Sequence, residues 1–375
     1  MRRKLLLFII TALFSLSFAA VFAQDTPQTT DEPATTEEPA TTEVPTTGET
    51  AVLAPAVASK LNNPRHISFG SDGTLYIAEA GQGGDIEAQG PFGPVKAGQN
   101  AQISAVTPDG KQSVVVPNLV SMDAGFGQIE GPTSVLVTDD SYWISLGMGM
   151  EIPIADGALT MAVVQIDKAS GEVKQTIDMS KYEKENNPDG SQEMVSNPSA
   201  LAFASNGTLY IADASGNSLF TWTAEAGLKL FASWPVNDTD PQSVPTSLAI
   251  GPEGDIYVGF LSGFPFPSKG ARIERYGTDG TLKETYPDLT LVTDILVTAD
   301  GTLYAVEMAN GYGDTGYNAN TGRVVKIVKG DVGVVLDGLN YPYGIAEDKD
   351  GNLFVTVDSA FLSPDSGKVV PVGGK

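Results

Sequence analysis

The chain has 375 residues, a formal charge of −24, no cysteine and a single histidine. That inventory excludes thiol nucleophiles, disulfides, zinc–thiolate centres and metal sites built from several imidazoles. So acidic a surface also repels phosphate backbones and anionic lipid heads; nucleic acid and electrostatic membrane docking are not expected, whereas cations and neutral ligands are.

In chain order, residues 1–23, "MRRKLLLFIITALFSLSFAAVFA", combine a basic start, an apolar core and small side chains before Ala23. This is the pattern of a signal peptide and predicts a secreted or extracytoplasmic protein. The alternative is an uncleaved anchor, since about 19 apolar residues approach spanning length; that would be the only association with a membrane. Residues 24–50 repeat a Pro/Thr/Glu hexad with Pro27, Pro33, Pro39 and Pro45 evenly spaced, and their seven carboxylates face no Lys or Arg. With almost nothing apolar to bury, this segment is expected to be a disordered, extended stalk. The folded domain is then 51–375.

Within it one phrase recurs. Aligned on a turn glycine or its equivalent, the copies stand at Gly73, Ser141, Gly207, Gly254, Gly301 and Gly351. Three residues later comes Tyr76, Tyr210, Tyr257, Tyr304 or Phe354; in the second copy Tyr142 is the nearest match, out of register. Before the anchor, apolar residues alternate as in a half-buried strand: Ile67 and Phe69, Leu201 and Phe203, Leu248 and Ile250, Ile295 and Val297. Two more strand patterns follow each hairpin. Repeats of this length with four strands each predict an all-β fold, a six-bladed β-propeller of four-stranded blades. The sixth unit runs out after "GKVVPV" at 367–372, so the N-terminal strand within 51–61 is expected to close the last blade and hide two sheet edges.

In an antiparallel blade, the turns joining strands one to two and three to four share one end. Those turns are minimal, whereas the other end collects the segments 80–100, 147–159, 180–196, 261–270, 308–322 and 359–366. Loops of this length in a compact domain commonly carry function. Their aromatic residues Phe264, Phe266, Tyr312 and Tyr317, with Arg65 nearby, are candidate contacts for a small molecule or protein partner; alternatively the rings pack the loops together. Glu79, Asp213 and Glu307 end equivalent second strands in alternate blades. Together they could hold a divalent cation such as calcium, or each could cap its own loop through backbone N–H groups. His66 starts the first innermost strand at the register of Asp294 in the fifth, the one His–carboxylate pair open to general-base catalysis; the alternative is a structural histidine.

The wording of the repeat resembles NHL-type propellers. More specifically, "KYEKENNPDG", "SNPSALAFASNGTLYIADASGNSL" and "PTSLAIGPEGDIYVGFLSGFPFPSKGARIERY" are similar to the ScyD/ScyE family, over about Asn63 to Val370. The resemblance implies a six-bladed propeller and transfers no catalytic motif. Two functions follow as expectations: a monomeric secreted or cell-surface propeller binding a small molecule or protein on its long-loop face, or an enzyme acting on an aromatic or lactone-like compound, with or without a metal.

Overall fold

The computed structural model describes residues 53–90, 93–125, 127–147, 159–237 and 239–373. The leader and the stalk expected at 1–50 lie outside them. The described chain forms six antiparallel blades around a central axis. Five are consecutive: blade one from 64–69, 75–79, 93–106 and 112–123; blade two from 132–137, 141–146, 162–167 and 173–178; blade three from 198–203, 209–213, 218–223 and 227–233; blade four from 245–250, 256–260, 271–276 and 282–289; blade five from 292–297, 303–307, 322–328 and 331–339.

Blade six takes three strands from the C-terminal end, 345–347, 353–357 and 367–371, and its outermost strand from 58–61. Ala58 pairs with Val369 and Leu61 with Gly367, and Val57 donates its N–H to the Val369 carbonyl at 2.9 Å. The N-terminal strand thus closes the ring, as the missing fourth strand required.

The hairpin turns explain the recurring glycines. Gly73, Gly207, Gly254, Gly301 and Gly351 all have φ near +80°, a conformation that a Cβ penalises, and each donates its N–H to the carbonyl three residues earlier. Blade two has no such glycine; its turn is tighter, closed by the Thr138 N–H on the Ser141 carbonyl. The shorter turn corrects the register. Trp143, not Tyr142, pairs with Leu136 as Tyr76 pairs with Ser68.

Side chains alternate toward the two neighbouring blades, so both blade faces are buried and one apolar cluster fills each of the six interfaces. Ile77 packs toward blade six, whereas Ala78, the next residue, packs toward blade two. Hydroxyls stitch the inner strands: Ser199 donates to the Pro245 carbonyl, Thr246 to Val292 and Thr293 to Tyr343, each at 2.8 Å.

Three long segments prove to be structured. Within 80–100, residues 86–90 form an extra strand on the extended third strand of blade one. Within 180–196, an α-helix spans Met179–Asn186, capped by the Asp178 carboxylate on the Lys181 N–H. Within 308–322, a two-residue ladder joins Tyr312 to Tyr317.

Candidate functional site

Each innermost strand starts at the long-loop end of its blade. Its second residue is Arg65, Thr133, Ser199, Thr246 or Thr293 in blades one to five, and Tyr343 stands at the same place just ahead of the blade-six strand. All six line one cavity of about 140 Å³ at the mouth of the central tunnel. Proline precedes this position in five of the blades, fixing φ at the strand's entry without using a ladder hydrogen bond.

The cavity is lined by polar and aromatic side chains together. Arg65 lies with its guanidinium 4.7 Å from the Tyr343 ring centre and donates to the carbonyls of Ser359 at 2.9 Å and Ile129 at 2.6 Å. Burial lowers its affinity for its proton, and Tyr343 and Glu130 act in the opposite sense. Glu130 stands in the same wall. Its Oε1 accepts from Gln128 at 3.2 Å, while its Oε2 is buried without a hydrogen-bond partner. Burial raises the Glu130 carboxyl above the ordinary range, against the pull of Arg65. Tyr317 and Phe361 add further aromatic rings to the lining.

The structure brings only some of the sequence candidates to this cavity. Arg65 and Tyr317 line it. Phe266 is 4% exposed and packs with Tyr312 and Tyr317 at ring-centre distances of 5.2 and 5.3 Å, so these rings tie the blade-four and blade-five loops together behind the wall. Phe264, 56% exposed, projects from that cluster.

His66 and Asp294 do meet. Nε2 lies 3.9 Å from Oδ1, linking blade one to blade five past the intervening blade six. They line a second, deeper cavity of about 340 Å³ rather than the mouth. His66 is 5% exposed and its Nε2 lies 3.0 Å from the Thr293 carbonyl. Asp294 accepts the N–H groups of Ile295 at 2.9 Å and Ile345 at 2.8 Å, and burial raises its carboxyl while His66 opposes that rise. Both groups therefore fasten blades one, five and six.

Glu79, Asp213 and Glu307 occupy equivalent positions opposite Pro64, Pro198 and Val292; blades two and four have Leu146 and Phe260 there. Each accepts the backbone N–H of the loop entering its own blade: Asn62 at 2.7 Å, Asn197 at 2.7 Å and Thr290 at 2.5 Å. Glu79 also accepts from Gln102 and Ser104, and Glu307 pairs with Arg323. The three do not converge; among the described residues no three His, Cys, Asp or Glu side chains gather in a metal-holding arrangement.

Sequence reasoning missed Glu130 and Tyr343. Tyr343 follows the proline of "YPYGIAE", whose polar Glu347 hides the alternation seen in the other copies. A search for the residue after each strand-opening proline would have found it. Glu130 has no repeat equivalent; it closes a two-residue strand, Ile129–Glu130, at the entry to blade two.

The fold and the mouth cavity define a class, six-bladed propellers with a central polar–aromatic recess. Solved structures share the propeller fold. A gluconolactonase from Xanthomonas campestris aligns at a TM-score of 0.53 with 12% identity, over 85% of this chain and 89% of its own. A candidate oxidoreductase (glucose dehydrogenase) from Thermus thermophilus aligns at 0.53 with 14% identity, over 84% and 98%. A streptogramin B lyase aligns at 0.49 with 14% identity, over 84% and 96%. At these identities the likeness is one of fold. No protein-family model matches the sequence, and no curated protein does.

Proposed function

We propose that the protein is a secreted or cell-surface binding propeller, of ScyD/ScyE type, that holds a small neutral molecule in its mouth cavity. The observation that carries this reading is the buried, unpartnered Glu130 Oε2 in the wall of that cavity. A buried acceptor left unpaired costs about 1–3 kcal/mol, more when charged, and a ligand N–H or O–H would remove that cost. A cavity near 140 Å³ has room for about one aromatic ring. Tyr343, Tyr317 and Phe361 supply faces for it, so the expected ligand is a single-ring compound bearing a donor, with phenol and pyrrole as minimal probes.

Thermal shift and ligand-observed NMR with those two probes test the reading. Phenol should bind, and Glu130→Leu should weaken it at least about 10-fold through loss of the acceptor. Toluene, of similar size without the donor, should bind more weakly than phenol. Equal affinity for phenol and toluene would overturn the donor-specific reading.

The competing reading is an enzyme acting on an aromatic or lactone-like compound. Its support is the His66–Asp294 approach at 3.9 Å, and the gluconolactonase neighbour makes lactones the first class to screen. Against it stands the occupation of both side chains by backbone groups and their place below the mouth. Turnover of any lactone that falls about 10²-fold or more in His66→Gln would favour the enzyme.

A further inference from the structure

The loop between blades two and three holds a group of acids that the mouth cavity does not use. Glu183, on the inner face of the 179–186 helix, is 1% exposed, and neither of its carboxylate oxygens has a hydrogen-bond partner. Asp213 ends the second strand of blade three and is fully buried. Its Oδ1 takes the N–H groups of Asn197 and Gly216; its Oδ2 has no partner in hydrogen-bonding geometry, although the Ser196 hydroxyl, also buried and otherwise unpaired, acts on this carboxyl. The two carboxylates converge on the spot above Gly216. A methyl group built there would stand 2.9 Å from Glu183 Oε2 and 3.3 Å from Asp213 Cγ. Close by, Asp189 is buried as well, with its oxygens on the Ser191 N–H and the Asn217 amide.

Asp213 was one of three acids that the sequence could assemble into a ring. It belongs instead to a pair with Glu183, and its former companions differ from it: Glu79 has Asn62, Gln102 and Ser104 on its oxygens, and Glu307 has Thr290 and Arg323. Of these acids, only Glu183 and Asp213 keep buried oxygens unfilled.

We infer that Glu183 and Asp213 are ligands of a hard divalent cation, calcium in the first instance, held between the 179–186 helix and the end of blade three. A single proton shared between Glu183 and Asp213 would serve two oxygens, one as donor and one as acceptor, and would still leave a Glu183 oxygen buried and unpaired. A calcium ion takes six to eight oxygens and accepts neutral ones beside two carboxylates. Among the described residues no third acid reaches coordinating distance, so backbone carbonyls, water and neutral side chains would complete the shell. The Asn187 Oδ1 in the same loop is likewise buried without a partner. Such an ion would anchor the long loop against the blade, beside but not inside the mouth cavity.

The test uses the full chain, treated with a chelator and then returned to calcium chloride at about 1 mM. A cation that binds only the folded state raises the melting temperature, by on the order of 3–6 °C at saturations near 100 times Kd. The rise should vanish in Glu183→Gln and persist in Glu79→Gln. Isothermal titration at 25 °C, well below melting, should give one site per chain for the parent and none for Glu183→Gln, which keeps the test valid if Asp213→Asn folds poorly. Absence of both heat and melting shift with calcium, or a shift that survives Glu183→Gln, would overturn the assignment.

Discussion

Truncating Leu61 to alanine isolates the energetic weight of ring closure. The side chain is 1% exposed and packs with Ala58, Ile67, Leu75, Ile77 and Val369, so it binds the closing strand to blades six and one at once. Losing its buried carbons forfeits about 2 kcal/mol of transfer free energy. The cavity left among rigid β-sheet neighbours brings the total to about 3–4 kcal/mol. With an unfolding entropy near 2.1 cal/mol/K per residue, that corresponds to a fall of about 5 °C in melting temperature for a domain of this size. Val57, four residues earlier and 38% exposed, provides the control. Val57→Ala keeps the main-chain bond to Val369 and should shift melting by less than about 1 °C. Circular dichroism melts of the two variants beside the parent measure both numbers, and removal of residues 24–50 should leave the melt unchanged. Equal melting of Leu61→Ala and Val57→Ala would refute the claim that this strand is an integral part of the last blade.

Thr246→Val removes the 2.8 Å hydroxyl bond to the Val292 carbonyl between blades four and five and should cost about 1–3 kcal/mol in denaturant titration, although the side-chain volume is nearly kept. Asp255, buried in blade four, is held by Arg275 and Lys283 at 2.6 and 2.5 Å. Burial alone would raise its carboxyl, but these hydrogen bonds outweigh it and keep the group below the ordinary carboxylate range. Its contribution is therefore present above the unfolded value of about 4 and lost as pH falls toward the lower folded value. Asp255→Asn should be about 1.5–3 kcal/mol less stable than the parent at pH 7, with the gap closing below about pH 4 in acid titrations. Phe264→Ala, which trims a half-exposed ring outside the mouth cavity, should leave phenol binding by NMR unchanged, whereas Tyr343→Ala should abolish it.

The blades were legible because two signals coincide in most copies. A positive-φ glycine marks each of five inner turns, and period-two alternation flanks it. Where one signal is missing the reading slips: blade two lacks the glycine, and Trp143 was displaced by one position in favour of Tyr142. The helix at 179–186 carries one N-cap and few apolar residues, too little to distinguish it from a loop, since its stability comes from Met179 packing into the blade-two and blade-three interface. The mouth was legible as an end of the molecule but not as a site. Which aromatic rings face the cavity depends on how loops from three blades pack, so Tyr317 was found together with Phe266, which lies behind it, while Tyr343 passed unnoticed. A further gap is electrostatic. Equivalence along the repeat grouped Asp213 with Glu79 and Glu307, whereas its carboxylate neighbour in space, Glu183, belongs to no repeat position.

The closing strand also sets an order of events during synthesis. Residues 58–61 leave the ribosome before any blade exists, yet the strand they pair with, 367–371, is translated after every other described strand. The contact between Asn62 and Asp365 spans 303 residues, roughly 15–60 s of translation at about 5–20 residues per second. Through that interval blades one to five can form in sequence while an unpaired strand waits at the amino-terminal end. Only Asn62 and Asn63 separate that strand from blade one, and Leu61 packs between blades six and one, so the waiting strand is tethered beside the place its own sixth blade will fill, and a partner's sixth blade could take it only by breaking that packing.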